Sequence, residues 1–392
     1  MQKNSLLEAT PEEVDYDSSR ISVLKRHLQK LVDDNTIMGS SYCIARKNKL
    51  IACDAVGYKH YKKLEDWKME YDTVMKAASV TKLFTAVAVF QLVEDGLLRL
   101  DEPMAKYIPQ MDFDPFREIT IANVLTHTSG MWPDGGCFPN EKYVDYWEKI
   151  DECKPGDDWI KAAMTCGVRR RPNEEWMYCS FGYVMLGVLI SNVSGEFAED
   201  YIMNHIVKPL GMTNTAFHPT KEMFLKHLIY EPSDEEFVKK YGKAIVEGLA
   251  MEEEATIWNE VPNTGGGLHT TVTDLIKFGQ MLCNGGRYQG VRILGRMSIE
   301  KMSEQRLIHI PNYTWGSKDQ ERLYGLGPDL RRGDAIITSD KFFFHEGAGA
   351  LCVAIDPKVE LTAAWFVPYM NRESWFPECL LNVKNIIWSG IM

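Results

Sequence analysis

Several features that mark common functional classes are missing from this chain of 392 residues. It contains no run of eighteen apolar residues, so we expect no membrane-spanning helix. The nine cysteines include no C-x-x-C pair and the nine histidines no H-x-x-x-H pair, which argues against a structural zinc site. The sequence also lacks internal repeats and low-complexity tracts. A solenoid and a fibrous protein are therefore excluded.

The charge balance offers little to attract polyanions. Lys and Arg number 44 against 55 Asp and Glu, and the formal net charge is -11. This balance argues against nucleic acid or an anionic membrane as a partner. The first fifteen residues hold no apolar segment of the kind that a signal peptide needs. Together with the odd number of scattered cysteines, this favours a reducing compartment and predicts a cytoplasmic location.

The residues that are present suit a soluble globular protein. Hydrophobic residues make up 45% and charged residues 25% of the chain, enough for a sizeable core. The length allows two domains or one large domain with an inserted lobe. The sequence leaves the oligomeric state open.

The most informative stretch sets Ser79 and Lys82 at the head of an apolar run that ends near Gly96. The run is too long for one strand and predicts a mostly buried helix, on which residues three apart share a face. A buried lysine has a lowered pKa and can activate a serine, and S-x-x-K is typical of acylating serine enzymes. Taken alone, the pattern also fits an N-cap serine followed by a solvated lysine.

Hydrophobic periodicity predicts the elements around this stretch. Helices are expected at residues 18–33, 184–193, 197–207 and about 374–387, and another over 273–282 with Thr271 or Thr273 as its cap. Strands are expected at 40–46, 50–58, 341–347, 350–356 and 360–366. The triple glycine 265–267 lacks the phosphate-loop pattern and predicts a tight turn.

Four further stretches, taken together, indicate a protein family. They are Leu125 to Met131 (LTHTSGM), Tyr178-Cys179-Ser180, Pro209 to Met212 (PLGM) and His345-Glu346-Gly347. With Ser79-Val80-Thr81-Lys82 they make the chain resemble serine hydrolases related to class C β-lactamases and penicillin-binding proteins. That superfamily also includes D-aminopeptidases, carboxylesterases and acyltransferases. The resemblance covers about residues 20 to 390.

The resemblance implies an α+β fold with a central antiparallel sheet flanked by helices, plus a mainly helical lobe. The sheet domain would comprise 18–99 with 271–392, and the lobe 100–270. It also implies Ser79 as acylated nucleophile, with Lys82 and Tyr178 as the proton-transfer pair and with no metal or organic cofactor. Which of Lys82 and Tyr178 holds the proton at rest is a coupled titration that the sequence leaves open.

The resemblance further implies an oxyanion hole formed by the backbone N–H groups of Ser79 and Ala348, just past Gly347. Departures from the family pattern bear on the substrate. His345-Glu346-Gly347 stands where relatives carry Lys-Thr-Gly, His-x-Gly or Trp-Gly-Gly, so the Lys-Thr pair is absent, and Ser180 replaces the usual asparagine. A partly charged histidine and a carboxylate suit an anionic substrate poorly.

These departures favour a carboxylesterase or acyltransferase acting on a small acyl ester or amide, or on a short peptide. One alternative is a β-lactamase, a D,D-peptidase or a D-aminopeptidase. Another is a member that has lost catalysis and serves as a sensor or scaffold, against which the intact Ser79, Lys82 and Tyr178 argue. His127 is expected to belong to a structural turn rather than to act as a base.

Overall fold

The fold is given by a computed structural model, which describes residues 6–138, 143–232, 234–236, 239, 256–317, 322–331, 333–349, 351–370 and 372–392. The part 240–255 of the segment 219–262, for which the sequence predicts no conformation, lies outside these ranges. The strands are β1 Gly39–Arg46, β2 Lys49–Gly57, β3 Met75–Lys76, β4 His269–Thr270, β5 Arg287–Tyr288, β6 Val291–Arg292, β7 Phe343–Gly347, β8 Leu351–Asp356 and β9 Leu361–Phe366.

Five of these strands form a central antiparallel sheet in the order β2-β1-β9-β8-β7. The amino-terminal hairpin joins the carboxy-terminal strands where Cys43 on β1 pairs with Ala364 on β9. The predicted fold class, with a central antiparallel sheet, is therefore confirmed. The strand β7 lies at one edge of the sheet, and this edge borders the candidate active site.

The α-helices overlap every range that is predicted to be helical, and others occur where the sequence predicts no helix. They are α1 Ser18–Asp33, α2 Thr81–Glu94, α3 Ile121–Leu125, α4 Tyr146–Asp151, α5 Trp159–Met164, α6 Ser180–Ser194, α7 Ala198–Ile202, α8 Lys221–Leu225, α9 Val272–Cys283, α10 Arg296–Met302 and α11 Val383–Trp388. The Asp17 side chain caps α1 by accepting the Ser19 N–H. Thr271, one of the two predicted caps, caps α9 by accepting the Asp274 N–H.

The last predicted helix, about 374–387, is only partly α-helical. A π-helical stretch covers Trp375–Asn382, and α11 begins only at Val383. Pro377 lies in that stretch and has no N–H to donate to a regular i→i−4 ladder, which explains the difference.

The alternation of side chains along the strands gives the sheet two apolar faces. On β8, Val353 and Ile355 join the cluster that contains α2 and α9. Cys352 and Ala354 point the other way, into the cluster with α1 and α11. The helix α2 is buried over almost its whole length, so its first turn is held rigidly against the sheet.

Helices dominate the segment 100–270, where α3 to α8 lie. The division into a sheet domain and a helical lobe nevertheless stays a prediction. Within the described ranges no single helix is long and apolar enough to cross a membrane, and only the bent pair Ser180–Ser194 and Ala198–Val207 reaches that length and hydropathy jointly.

Candidate active site

Ser79 lies on a single 3₁₀ turn, Ala78–Val80, that leads directly into α2. The predicted helix therefore exists, but the serine precedes its α-helical part. Side chains three residues apart eclipse one another in 3₁₀ geometry, so Ser79 and Lys82 still face the same way. Ala78 has a φ of 45°, a left-handed conformation that a non-glycine residue adopts when its surroundings enforce it. The turn that carries Ser79 is thus held in a strained shape.

The ammonium group of Lys82 is the centre of the polar network. The residue is fully buried, and its Nζ donates to Gly265 O at 2.7 Å, to Ser180 Oγ at 2.9 Å and to Ser79 Oγ at 3.2 Å. An ammonium has three N–H donors, and three acceptors surround this one. Lys82 therefore has a fixed position with one bond directed at the Ser79 hydroxyl.

Burial is the main influence on the acidity of Lys82. Desolvation lowers the pKa of its ammonium to about 8, and the negative charge of Asp134 opposes this shift. At pH 7 roughly one lysine in ten is then neutral. The neutral amine has a lone pair that can accept the Ser79 proton.

A carboxylate that the sequence analysis did not single out holds Ser180. Asp134 Oδ1 accepts the Ser180 N–H at 2.6 Å and Oδ2 accepts the Ser180 hydroxyl at 2.5 Å. Because Ser180 is the first residue of α6, the carboxylate also lies at the positive end of that helix. The Ser180 hydroxyl donates to Asp134 and accepts from Lys82. A chain of hydrogen bonds thus runs from Asp134 through Ser180 and Lys82 to Ser79.

Tyr178 is held next to this chain by His127. The ring centroids of the two residues are 4.3 Å apart. His127 Nδ1 accepts the Cys179 N–H at 3.1 Å, and its carbonyl accepts the Met177 N–H at 2.8 Å. Burial lowers the pKa of His127 well below its usual value, so the ring is neutral. The histidine therefore anchors both sides of Tyr178, as expected of a structural turn.

The Tyr178 phenol keeps its proton at neutral pH. The Lys82 Nζ lies 5.0 Å from the centroid of its half-buried ring. Desolvation and the charge of Asp134 raise the pKa of Tyr178 well above its usual value, while a side-chain hydrogen bond with Ser79 works in the opposite direction. The protonated phenol thus lies within hydrogen-bond reach of the Ser79 hydroxyl.

The end of β7 packs against the turn that carries Ser79. A Cβ added to Gly347 would lie 2.3 Å from Ala77 O, so only glycine allows this approach. Ala348 follows directly and is exposed. The glycines at 265–267 serve a similar purpose, because a Cβ on Gly265 would lie 2.9 Å from Ser180 O. The predicted tight turn is thus a place where two backbones meet closely.

His345 and Glu346 do not form a cationic site at the end of β7. His345 Nδ1 lies 2.8 Å from Glu346 O, and its Nε2 lies 3.4 Å from the Tyr324 hydroxyl. Burial and the charge of Lys82 lower the pKa of His345 to about 4, so its ring is neutral at pH 7. Glu346 Oε1 accepts from Arg331 Nη2 at 3.1 Å. The expected partial charge on His345 is therefore wrong for neutral solution, because the ring is desolvated.

The model of the family described as Beta-lactamase matches residues 24–378. The chain belongs to this family. Among curated relatives, "Putative penicillin-binding protein PbpX" of Bacillus subtilis (strain 168) is 30% identical over 267 residues, which are 66% of this chain and 57% of that protein. The chain thus spans little more than half the length of that relative.

Solved structures share the β-lactamase-family fold over nearly the whole chain. EstCE1, described as a hydrolase with promiscuous acyltransferase activity, has a TM-score of 0.73 at 17% identity and covers 95% of this chain and 99% of its own. A family VIII carboxylesterase has a TM-score of 0.72 at 18% identity, with 95% and 98% covered. At this identity the likeness shows the fold alone.

The structure brings most of the residues selected from the sequence to one place. Ser79, Lys82, Tyr178 and Ser180 lie in one hydrogen-bonded and stacked group, and Gly347 packs against Ala77 beside it. Asp134 and the Gly265 carbonyl were missed. The Pro-Asp-Gly-Gly segment at 133–136 is typical of a turn, and no local pattern connects it to Ser180, 46 residues away.

Proposed function

We propose that this protein is a serine hydrolase that forms an acyl-enzyme on Ser79 and acts as a carboxylesterase or acyltransferase on a small, neutral acyl ester or amide. The observation that supports this most strongly is the position of Lys82, whose buried Nζ bonds to both Ser79 Oγ and Ser180 Oγ. A lysine desolvated to a pKa of about 8 is suited to removing a serine proton near neutral pH.

The proton path follows from the two pKa directions. Neutral Lys82 takes the Ser79 proton as Oγ attacks the acyl carbon. Tyr178 holds its proton at rest and gives it to the leaving oxygen or nitrogen, and the proton on Lys82 replaces it. Water or an alcohol then attacks the acyl-enzyme, neutral Lys82 takes its proton, and that proton passes to Ser79 Oγ as the bond between Oγ and the acyl carbon breaks. Lys82 is therefore the resting base in this proposal, and Tyr178 the resting acid.

The oxyanion that develops during attack needs hydrogen-bond donors. We assign this role to the N–H groups of Ser79 and Ala348, following the family resemblance. The close packing of Gly347 on Ala77 supports the assignment, because it brings the end of β7 beside the turn that carries Ser79. One donor of this kind contributes about 3 kcal/mol of transition-state stabilisation.

The neutral substrate follows from the surroundings of β7. His345 is uncharged at pH 7, and Glu346 is a carboxylate paired with Arg331. Neither residue offers the cation and hydroxyl that a Lys-Thr pair would offer to a β-lactam carboxylate. The carboxylesterase and the promiscuous acyltransferase among the solved neighbours have activities of the class proposed here.

A second candidate is a penicillin-binding protein or β-lactamase, the class that also contains D,D-peptidases and D-aminopeptidases. The named relative in Bacillus subtilis favours it. A sensor or scaffold without catalysis is disfavoured, since binding alone does not require a buried lysine that bonds to two serine hydroxyls.

Intact-mass spectrometry separates these candidates. The protein is mixed with p-nitrophenyl butyrate and, separately, with benzylpenicillin, and any adduct is located by peptide mapping. We expect a transient butyryl adduct on Ser79 that is absent from Ser79→Ala. A long-lived penicilloyl adduct would instead favour the second candidate. No adduct from either compound would contradict the proposed esterase.

A further inference from the structure

A cavity of about 650 Å³ adjoins the edge strand β7. Its apolar walls include Trp315, Phe344, Phe376 and Leu381. Three cationic side chains also line it, and they are Arg322, Arg331 and Lys384. An apolar cavity with a few converging charged groups is the usual form of a small-molecule site.

The charges around this cavity do not balance within the described residues. Asp329 pairs with Arg322 at 2.7 Å and with Arg331 at 2.9 Å. Glu346 pairs with Arg331 at 3.1 Å. Glu346 Oε2 is buried without a hydrogen-bond partner among the described residues, and both carboxylates also attract Lys384 over a longer distance. Two carboxylates thus face two guanidinium groups. Lys384 adds a third positive charge.

Lys384 is buried without an ionic partner. The residue is 2% exposed, and its Nζ lies 3.3 Å from the centroid of the Phe344 ring and 5.7 Å from that of Phe342. Within the described ranges this ammonium forms no hydrogen bond and no ion pair. An aromatic face compensates a desolvated cation only in part. A buried ammonium is costly unless an anion pairs with it.

We propose that this cavity binds a small organic carboxylate with an aromatic or aliphatic body, and that Lys384 supplies the counter-charge. The apolar walls contact the body of the ligand, while the carboxylate replaces the water that the Lys384 ammonium has lost. The two arginines remain engaged with Asp329 and Glu346, which leaves Lys384 as the group that distinguishes an acid from its neutral amide.

The cavity borders the active site through Trp315. The Trp315 ring centroid lies 5.6 Å from that of Tyr178, and the Arg322 guanidinium lies 4.0 Å from that of Trp176. Along β7, Phe344 precedes Gly347 by three residues, about 10 Å of strand. The carboxylate therefore belongs to a separate ligand bound beside Tyr178, or it is part of the substrate, in which case the neutral substrate proposed above is wrong.

The binding test compares two isosteric probes. Isothermal titration calorimetry measures the affinity of the protein for phenylacetate and for phenylacetamide at fixed ionic strength. We expect phenylacetate to bind at least tenfold more tightly, because only the acid pairs with Lys384. Equal affinities, or no binding of phenylacetate, would overturn the proposal.

Variants assign the preference to Lys384. Lys384→Met should abolish the difference between acid and amide, whereas Lys384→Arg should keep it, since the charge remains. Lys358, an exposed lysine that pairs with Asp340, provides the matched control, and Lys358→Met should behave as the wild type. Thermal melting of each variant confirms that it folds. A folded Lys384→Met that keeps the tenfold preference would also overturn the proposal.

Kinetics identify the source of the carboxylate. In the hydrolysis of p-nitrophenyl butyrate, phenylacetate that raises KM alone would assign the cavity to the substrate site. A change in kcat at constant KM would assign it to a separate ligand. No change in either, at a concentration that saturates binding, would overturn the link to the active site. Only this measurement depends on the proposed hydrolase activity, so the binding test remains decisive if that activity fails.

Discussion

Two lysines of this protein are almost completely removed from water, and their surroundings differ. Lys82, at 0% exposure, donates to three oxygen acceptors at 2.7–3.2 Å. Lys384, at 2% exposure, lies over the ring of Phe344. Burial lowers the pKa of both ammonium groups, and it does so to about 8 for Lys82. The same physical effect thus operates in a polar network and in an apolar cavity.

The comparison indicates that burial alone does not define a catalytic lysine. In Lys82 the hydrogen bonds hold Nζ against a serine hydroxyl, and a nearby carboxylate limits the fall in pKa. In Lys384 no described group fixes a bond direction, so the site is open to an anion from outside. Geometry toward a reacting atom separates a base from a binding group.

The largest expected effect comes from replacing the first lysine. Lys82→Met removes the proposed proton acceptor for Ser79, and we expect kcat/KM for p-nitrophenyl butyrate to fall by about 10²–10⁴. The exposed Lys301, on α10, gives a control variant, Lys301→Met, that should retain full activity. Activity of Lys82→Met within threefold of the wild type would show that the contacts of Lys82 do not make it a base.

The charge of Asp134 provides a finer test of the polar network. In the wild type, kcat/KM should rise with pH through about 8 as Lys82 loses its proton. Since Asp134 raises the pKa of Lys82, Asp134→Asn should move this rise to lower pH. The value of kcat/KM at high pH should also fall by about tenfold. An asparagine has only one side-chain oxygen, so it cannot accept the Ser180 N–H and hydroxyl on separate oxygens as Asp134 does. A pH profile that keeps its midpoint would contradict the coupling.

Stability should reflect the lowered pKa of Lys82 as well. Its pKa of about 8 in the folded state lies below the value of about 10.4 expected in the unfolded chain. Between these values the unfolded state binds more protons, so stability increases with pH. From pH 7 to 9.5 the wild type should gain about 1–2 kcal/mol relative to Lys82→Met, measured by urea denaturation. If the difference in stability between the wild type and Lys82→Met stays the same from pH 7 to 9.5, Lys82 does not change its protonation state over this range in the folded protein alone.

The smallest effect is expected for Lys384. Replacing it by Met removes a buried charge and retains the apolar contact with Phe342 and Phe344, so the free energy of unfolding at pH 7 should rise by about 1 kcal/mol. Urea denaturation of Lys384→Met measures this change. A loss of more than about 2 kcal/mol would indicate a partner for Lys384 and would remove the contrast between the two lysines.

Much of the fold and part of the site follow from local patterns. The limits of α1 and the positions of the strands follow from periodicities of 3.6 and 2 along the chain, whereas the central antiparallel sheet was expected from the family resemblance. The spacing of Ser79 and Lys82 places them on one side of a helical turn. The Tyr178-Cys179-Ser180 stretch was selected by its resemblance to a family motif, and no periodicity would have distinguished it from a packed aromatic.

The sequence by itself determined which residues can share an element: the S-x-x-K pair, the alternating strands, and the cap of α9. Only the tertiary structure decided which distant groups meet them. Gly265 O lies 183 residues from Lys82, and Asp134 lies 46 residues before Ser180. Lys384 on α11 contacts Phe344 on β7. The physical reason is that pKa values and hydrogen bonds depend on desolvation and on distances of about 3 Å, which chain folding alone sets between residues far apart in sequence.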